Sequence, residues 1–261
     1  MSEVGNFGKR ELILQGINDG KYPESVYKFR TIEKASNILQ SQEFYFSSPA
    51  NFNDPFDCSL DEEKQYSLSD FNAWISSLKN ALTQQEIKNL TRTYESKHQE
   101  FNDKVKEIKT KAVNIRGVLA LSKTNKNILL WSHYADNHTG VAIKLNIAKD
   151  PDFFAIPKNM IYTKNYNPLN YLRDSKKSIL DTLSTKSIDW EYEEEIRVYK
   201  SSVGVHKINA KAITDVFFGV KTESIDIEKI KQICSQNGLN HVKFHKAEKK
   251  YGEFSIHFNP I

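Results

Sequence analysis

Carboxylates crowd into WEYEEEIRVYK, residues 190–200, where Glu191, Glu193, Glu194 and Glu195 precede an apolar Ile-Arg-Val segment fit for a protein core. If this segment is a strand, Glu193 and Glu195 project to one face and Arg197 continues the row, because side chains alternate with period two. Neighbouring carboxylates repel, which raises the pKa of one of them unless a cation compensates; Arg197 is the cation at hand. A solvated, charge-paired strand edge would use the same residues. A second candidate is Arg30, closing YKFR, whose planar fork of donors matches phosphate or carboxylate. Ser47 and Ser48 end the next strand-like run, placed either to orient a ligand or to cap a turn, and Arg30 has Asp54 or Asp57 as alternative partners. A third is WSHYADNHTG, residues 131–140, with Trp131, His133, Tyr134, Asp136 and His138. Histidine and aspartate suit zinc or iron, but the HExxH spacing is absent. The segment also fits a ligand-lining loop, with Trp131 or Tyr134 stacked on a planar ring and Gly140 admitting close backbone approach, or a purely structural cluster.

The elements that must position these groups follow from periodicity. SVYKFR alternates as a strand; TIEKASNILQSQ places Ile32, Ala35, Ile38 and Leu39 on one helical face; EFYFSS is a second strand ending at Pro49. PANFNDPFDCSL has the Asn, Asp and Pro density of a structured loop. From residue 67 to 113, apolar residues recur at helical spacing, which predicts two or three amphipathic helices inserted into a β-rich frame. GVLALSK and VAIKLN read as strands, with a short helix starting ILLWSHYADNHTG. Residues 169–186 read as helix. EEIRVYK and ITDVFFG read as strands, SIDIEKIKQICSQNG as a helix capped by Gly238, and HVKFHKA and FSIHFN as a pair around Tyr251-Gly252. One α+β domain over residues 1–261 with a helical insertion at 67–113 is the expected organisation.

Composition bounds the function. The chain has 261 residues, is 39% hydrophobic and 27% charged, and carries a formal charge of +4, a balance that suits a globular fold and does not identify a nucleic-acid binder. No apolar run approaches a membrane span and the start lacks the order of a secretion signal, so the expected location is cytoplasmic, without membrane association. Cys58 and Cys234 form no CxxC pair and read as buried thiols.

FSSPANFNDPFD, WSHYADNHTG and WEYEEEIRVY, followed by VFFG, resemble the bacterial family called domain of unknown function 2971, over Tyr27 to Gly219. More distantly, an arginine on the first strand, a Ser-rich strand end and a late Glu-x-Glu resemble the ADP-ribosyltransferase pattern of Arg, Ser-Thr-Ser and Glu-x-Glu. YKFRTIEKASNILQSQEFYFSS is similar to the start of DarT-like enzymes, with Lys28 in place of their histidine and Ser47-Ser48 in place of the full Ser-Thr-Ser. This resemblance implies a mixed, mainly antiparallel β core of ADP-ribosyltransferase type, NAD as substrate, and a protein or nucleic-acid acceptor with a possible regulatory partner. It also implies roles. Glu195 would stabilise the oxocarbenium-like ribose through a hydroxyl, and Glu193 would orient or deprotonate the acceptor. Arg30 would clamp the pyrophosphate with Lys28 assisting, Ser48 would hold Glu195 or the ribose, and Tyr45, Trp131 or Tyr134 would stack on nicotinamide. One cleft should then hold Arg30 and Glu195. Two other readings use different residues: a non-catalytic nucleotide-binding or protein-interaction module whose helical segment meets a partner, and a hydrolase with His133, His138, Asp136 and Asp54 around a metal.

Overall fold

Short polar residues ahead of apolar runs set where the helices begin. The computed structural model describes residues 8–78, 80–155 and 157–261. In chain order its elements are α1 (Lys9–Asn18), β1 (Ser25–Arg30), α2 (Ile32–Ser41), β2 (Glu43–Phe46), α3 (Leu68–Ser77), α4 (Gln84–Ser96), α5 (His98–Asn114), β3 (Gly117–Ser122), α6 (Ile128–Tyr134), β4 (Val141–Asn146), α7 (Pro151–Phe154), β5 (Lys158–Asn159), β6 (Ile161–Thr163), α8 (Ser175–Ser184), β7 (Thr185–Ser187), β8 (Glu195–Lys200), β9 (Gly204–Lys207), β10 (Ile213–Phe218), α9 (Ser224–Gln236), β11 (Lys243–Lys249) and β12 (Ile256–Pro260). Thr31 starts α2 by accepting from the Lys34 amide, and Asn127 starts α6 by accepting from the Leu129 amide. Thr83 and Glu86 close a reciprocal capping box on α4. After α9, Gly238 takes φ = 75° and the Leu239 amide reaches back to the Cys234 carbonyl at 2.9 Å, the six-to-one bond of a Schellman turn.

The chain divides into two compact units. The first comprises residues 1–47, 118–160 and 189–261. Its frame is an eight-stranded sheet in the order β12-β11-β10-β4-β1-β3-β8-β5. β1 runs antiparallel to β4 along its whole length, from Ser25 opposite Asn146 to Arg30 opposite Val141, and meets β3 where Tyr27 faces Ser122. β10 and β11 pair in parallel, so the sheet is mixed and mainly antiparallel. One large apolar cluster collects Val26, Ile143 and Leu145 from the sheet with Ile13 of α1, Leu39 of α2 and Ile230 of α9. A second collects Phe29, Ala142 and Phe217 with Leu130 and Trp131 of α6. Strand alternation divides the residues in this way: Val26 enters the first cluster and Phe29 the second. β2 and β9 form a separate antiparallel pair.

The second unit comprises residues 48–117 and 161–188. It holds α3, α4, α5 and α8 and the parallel pair β6 and β7. Its core is aromatic: Phe71 stacks on Tyr94 at 4.2 Å, and Phe101, Trp74, Tyr66 and Tyr171 pack around them. The helices expected over 67–113 are three, and the unit that contains them is wider at both ends and recruits the later segment. The helix read over 169–186 is confined to α8, because Thr185–Ser187 leave it to pair with β6. Cys234 is buried as read, but Cys58 is only partly buried. Residues 1–7, where no secretion signal was read, lie outside the described residues. Among those described, no helix is long and apolar enough to cross a membrane.

Candidate functional site

The three glutamates of EEE do not form one strand. A 3-10 turn covers Ile188–Glu193, Glu194 takes the left-handed conformation at φ = 45°, and β8 begins at Glu195. The period-two argument therefore holds for Glu195 and Arg197 and fails for Glu193. The kink still turns Glu193 and Glu195 inward, at 5% and 4% exposure, and leaves Glu194 in solvent. Arg197, itself 1% exposed, grips Glu195 with Nε to Oε1 at 2.5 Å and Nη2 to Oε2 at 3.3 Å. Such a bidentate pair fixes the carboxylate in one rotamer. Glu193 is held differently: the Tyr134 hydroxyl donates to its Oε1 at 2.6 Å, and the Ser122 hydroxyl donates to its carbonyl at 2.7 Å. Asn127 adds a bond from Nδ2 to the Tyr192 carbonyl at 2.9 Å. Burial and the Glu193 carboxylate together push the Tyr134 phenol far above its ordinary pKa, so it stays a donor.

Lys28 of β1 is the cation that feels this turn, and Arg30 stands beside it on the same strand. Lys28 donates from Nζ to the Ala120 carbonyl of β3, and Arg30 donates from Nη1 to the Phe29 carbonyl at 3.2 Å. Among the described residues of the first unit, neither has a carboxylate within ion-pair range. Burial holds Lys28 well below the ordinary lysine pKa; Arg30 lowers it further, Glu195 and Glu193 push back, and Arg197 adds to the lowering. One ammonium thus senses all four charged neighbours. Burial pulls the Arg30 guanidinium down to about 10, which leaves it charged at neutral pH. Gly140 supports the end of β1: a Cβ there would stand 2.3 Å from the Arg30 carbonyl and 2.9 Å from that of Ala135.

The remaining expected site residues are dispersed. Trp131 is fully buried, donates Nε1–H to the Asn125 carbonyl at 2.7 Å and meets Phe29 edge-on, so it belongs to the core and has no open face for a ligand ring. His133 is exposed on α6, while His138 follows Asp136 and Asn137 in a run of three left-handed residues. The His138 ring lies parallel to Trp131, and burial, then Lys221 and Lys249, lower its pKa. Tyr45 is 54% exposed on β2. Ser47 exchanges backbone bonds with Val118 at 3.0 and 2.9 Å. Ser48 and Asp54 belong to the second unit, where Ser48 donates to the Asn114 carbonyl and caps a 3-10 turn, and Asp54 accepts from the Phe56 amide. Among the described residues, no three His, Cys, Asp or Glu side chains group as metal ligands.

Sequence reasoning overlooked Ser122 and Asn127, which hold the carbonyls of the turn. Asn127 had a readable signal, since an Asn directly before an apolar helix is an N-cap with an amide group to spare. Ser122 had none, because its partner is remote in sequence.

Residues 130–198 match the family model described as a protein of unknown function, DUF2971. The resemblance expected over Tyr27–Gly219 is thus found over the segment from α6 to β8, which contains Tyr134, Glu193, Glu195 and Arg197 but not Lys28 or Arg30. No curated protein and no solved structure matches the chain.

Proposed function

We propose that the chain is an NAD-dependent ADP-ribosyltransferase whose working groups are Lys28, Arg30, Glu193 and Glu195. The observation that supports this reading is that Lys28, with Arg30 beside it on β1, feels the two buried carboxylates of Glu193 and Glu195, and that neither cation has an ion-pair partner among the described residues of the first unit. NAD needs both kinds of group. Its pyrophosphate calls for fixed cations, and Arg30 supplies the fork while Lys28 supplies a point charge. Its nicotinamide–ribose bond breaks with the electron pair leaving on nicotinamide, so positive charge develops at the ribose C1′ and a carboxylate stabilises it. Glu195, locked by Arg197, is the fixed charge. Glu193 is the group that accepts the acceptor's proton as its lone pair bonds to C1′, and Tyr134 orients it.

The test follows intact NAD and nicotinamide by mass spectrometry, with the purified chain and separate protein, DNA and RNA acceptors. Nicotinamide release with a mass increment on one acceptor class, lost in both Glu195→Gln and Glu193→Gln, is the expected result. A second reading draws on the completeness of the Glu195–Arg197 pair, which suits a structural carboxylate and a nucleotide-binding module without turnover. NAD that binds but stays intact with every acceptor would favour that module and end the transferase reading.

A further inference from the structure

The segment 122–127 meets the charged turn at three successive carbonyls. Ser122 Oγ donates to the Glu193 carbonyl at 2.7 Å, Asn127 Nδ2 to that of Tyr192 at 2.9 Å, and the Lys123 amide to that of Glu194 at 3.0 Å. The segment is itself braced. Ser122 Oγ accepts from the Thr124 amide at 3.1 Å, Thr124 Oγ1 from the Lys126 amide at 3.1 Å, and Asn127 Oδ1 from the Leu129 amide at 2.9 Å, while the Trp131 indole donates to the Asn125 carbonyl. Ser122 and Asn125 are buried. A turn gripped in this way can hold a conformation that its own residues disfavour. Glu194 is in such a conformation, at φ = 45°, where a side chain with a Cβ is crowded by its own backbone. Its side chain is exposed, and the restraint on it comes through the carbonyls.

The left-handed residue changes what the two buried carboxylates do. Were residues 192–194 extended, Glu193 would continue β8 on the face of Glu195, and two carboxylates in one row repel. With Glu194 turned, β8 starts at Glu195, which keeps Arg197, and Glu193 meets the Tyr134 hydroxyl at 2.6 Å. We propose that Ser122 and Asn127 are positioning residues of this site: by gripping the carbonyls of the turn they hold Glu194 left-handed, and so keep Glu193 on Tyr134. The effect on turnover rests on the transferase reading, whereas the placement of Glu193 is measurable without NAD.

The test follows the Tyr134 resonance by fluorine NMR in the fluorotyrosine-labelled full chain, assigned with Tyr134→Phe, beside steady-state nicotinamide release. Ser122→Ala and Asn127→Ser, the latter keeping a residue fit to cap α6, should each shift that resonance. Each should also lower kcat roughly tenfold or more with KM for NAD within about twofold, since orientation and not binding is lost. Adding Glu194→Gly, which adopts the left-handed conformation freely, should restore both readouts. Adding Glu194→Gln, which removes the same charge but keeps the backbone penalty, should restore neither. A resonance unmoved by both single variants, one left unrestored by Glu194→Gly, or equal restoration by Glu194→Gln would each overturn the proposal, the last by assigning the effect to charge. If the unsubstituted chain releases no nicotinamide with any acceptor, the transferase reading fails together with the effect on turnover, and the fluorine shifts still decide whether Ser122 and Asn127 place Glu193.

Discussion

At the scale of single residues, Lys28 is the cation of β1 whose titration reports on the charged turn. Its pKa in the folded chain lies well below the ordinary 10.5, chiefly through burial, so between the two values the unfolded chain binds more protons than the folded one. Stability contributed at this position therefore rises with pH: the cost of burying the charge is complete below the folded pKa and gone above the unfolded one. Lys28→Met should accordingly show a stability advantage over the parent that shrinks as pH is raised from 7 towards 10 in urea titrations. A difference independent of pH would mean that Lys28 is not a buried charge. The neighbouring glutamates show what sequence can and cannot reveal at this scale. That Glu195 and Arg197 share a face was legible, because alternation along a strand is geometric. That Glu194 adopts φ = 45° was not, because a glutamate carries no mark of the left-handed conformation, and the placement of Glu193 depended on it.

At the scale of elements, β1 and α6 are held together through Gly140. Any side chain there meets two backbone carbonyls, which cannot swing away as a flexible side chain would. Gly140→Ala should cost about 1–3 kcal/mol, the range for forced overpacking, seen as a lower urea midpoint with an unchanged slope. An unaltered midpoint would show that the end of β1 yields freely. β1, α2, β4, β10 and α9 were all legible, since each combines a long periodic run with a punctuating residue such as Thr31 or Gly238. β6, β7 and β9 were not. Thr185–Ser187 follows α8 without a break and becomes a strand only because Ile161–Thr163 lies beside it, a pairing that no local pattern encodes. The mixed α+β class survived these omissions because the central strands are the long ones.

At the scale of the whole molecule, two units are woven from one chain that passes between them more than once. The charged turn of EEE and the cations of β1 lie in the first, and the aromatic core of the helices lies in the second. The Ser47–Val118 backbone bridge marks the place where residues 48–117 leave and return. Closing an unstructured loop of that length costs roughly 4 kcal/mol in chain entropy by the logarithmic law, before constants. A segment already condensed into helices presents its ends much closer together. Pulse-labelled hydrogen exchange during refolding should therefore find the amides of α4 and α5 protected before that of Val118; the reverse order would refute helix-first assembly. If helices come first, a sheet-forming step joining distant parts of the sequence behaves kinetically as though its strands were near neighbours, and the speed at which β3 finds its place becomes a property of residues that never enter the sheet.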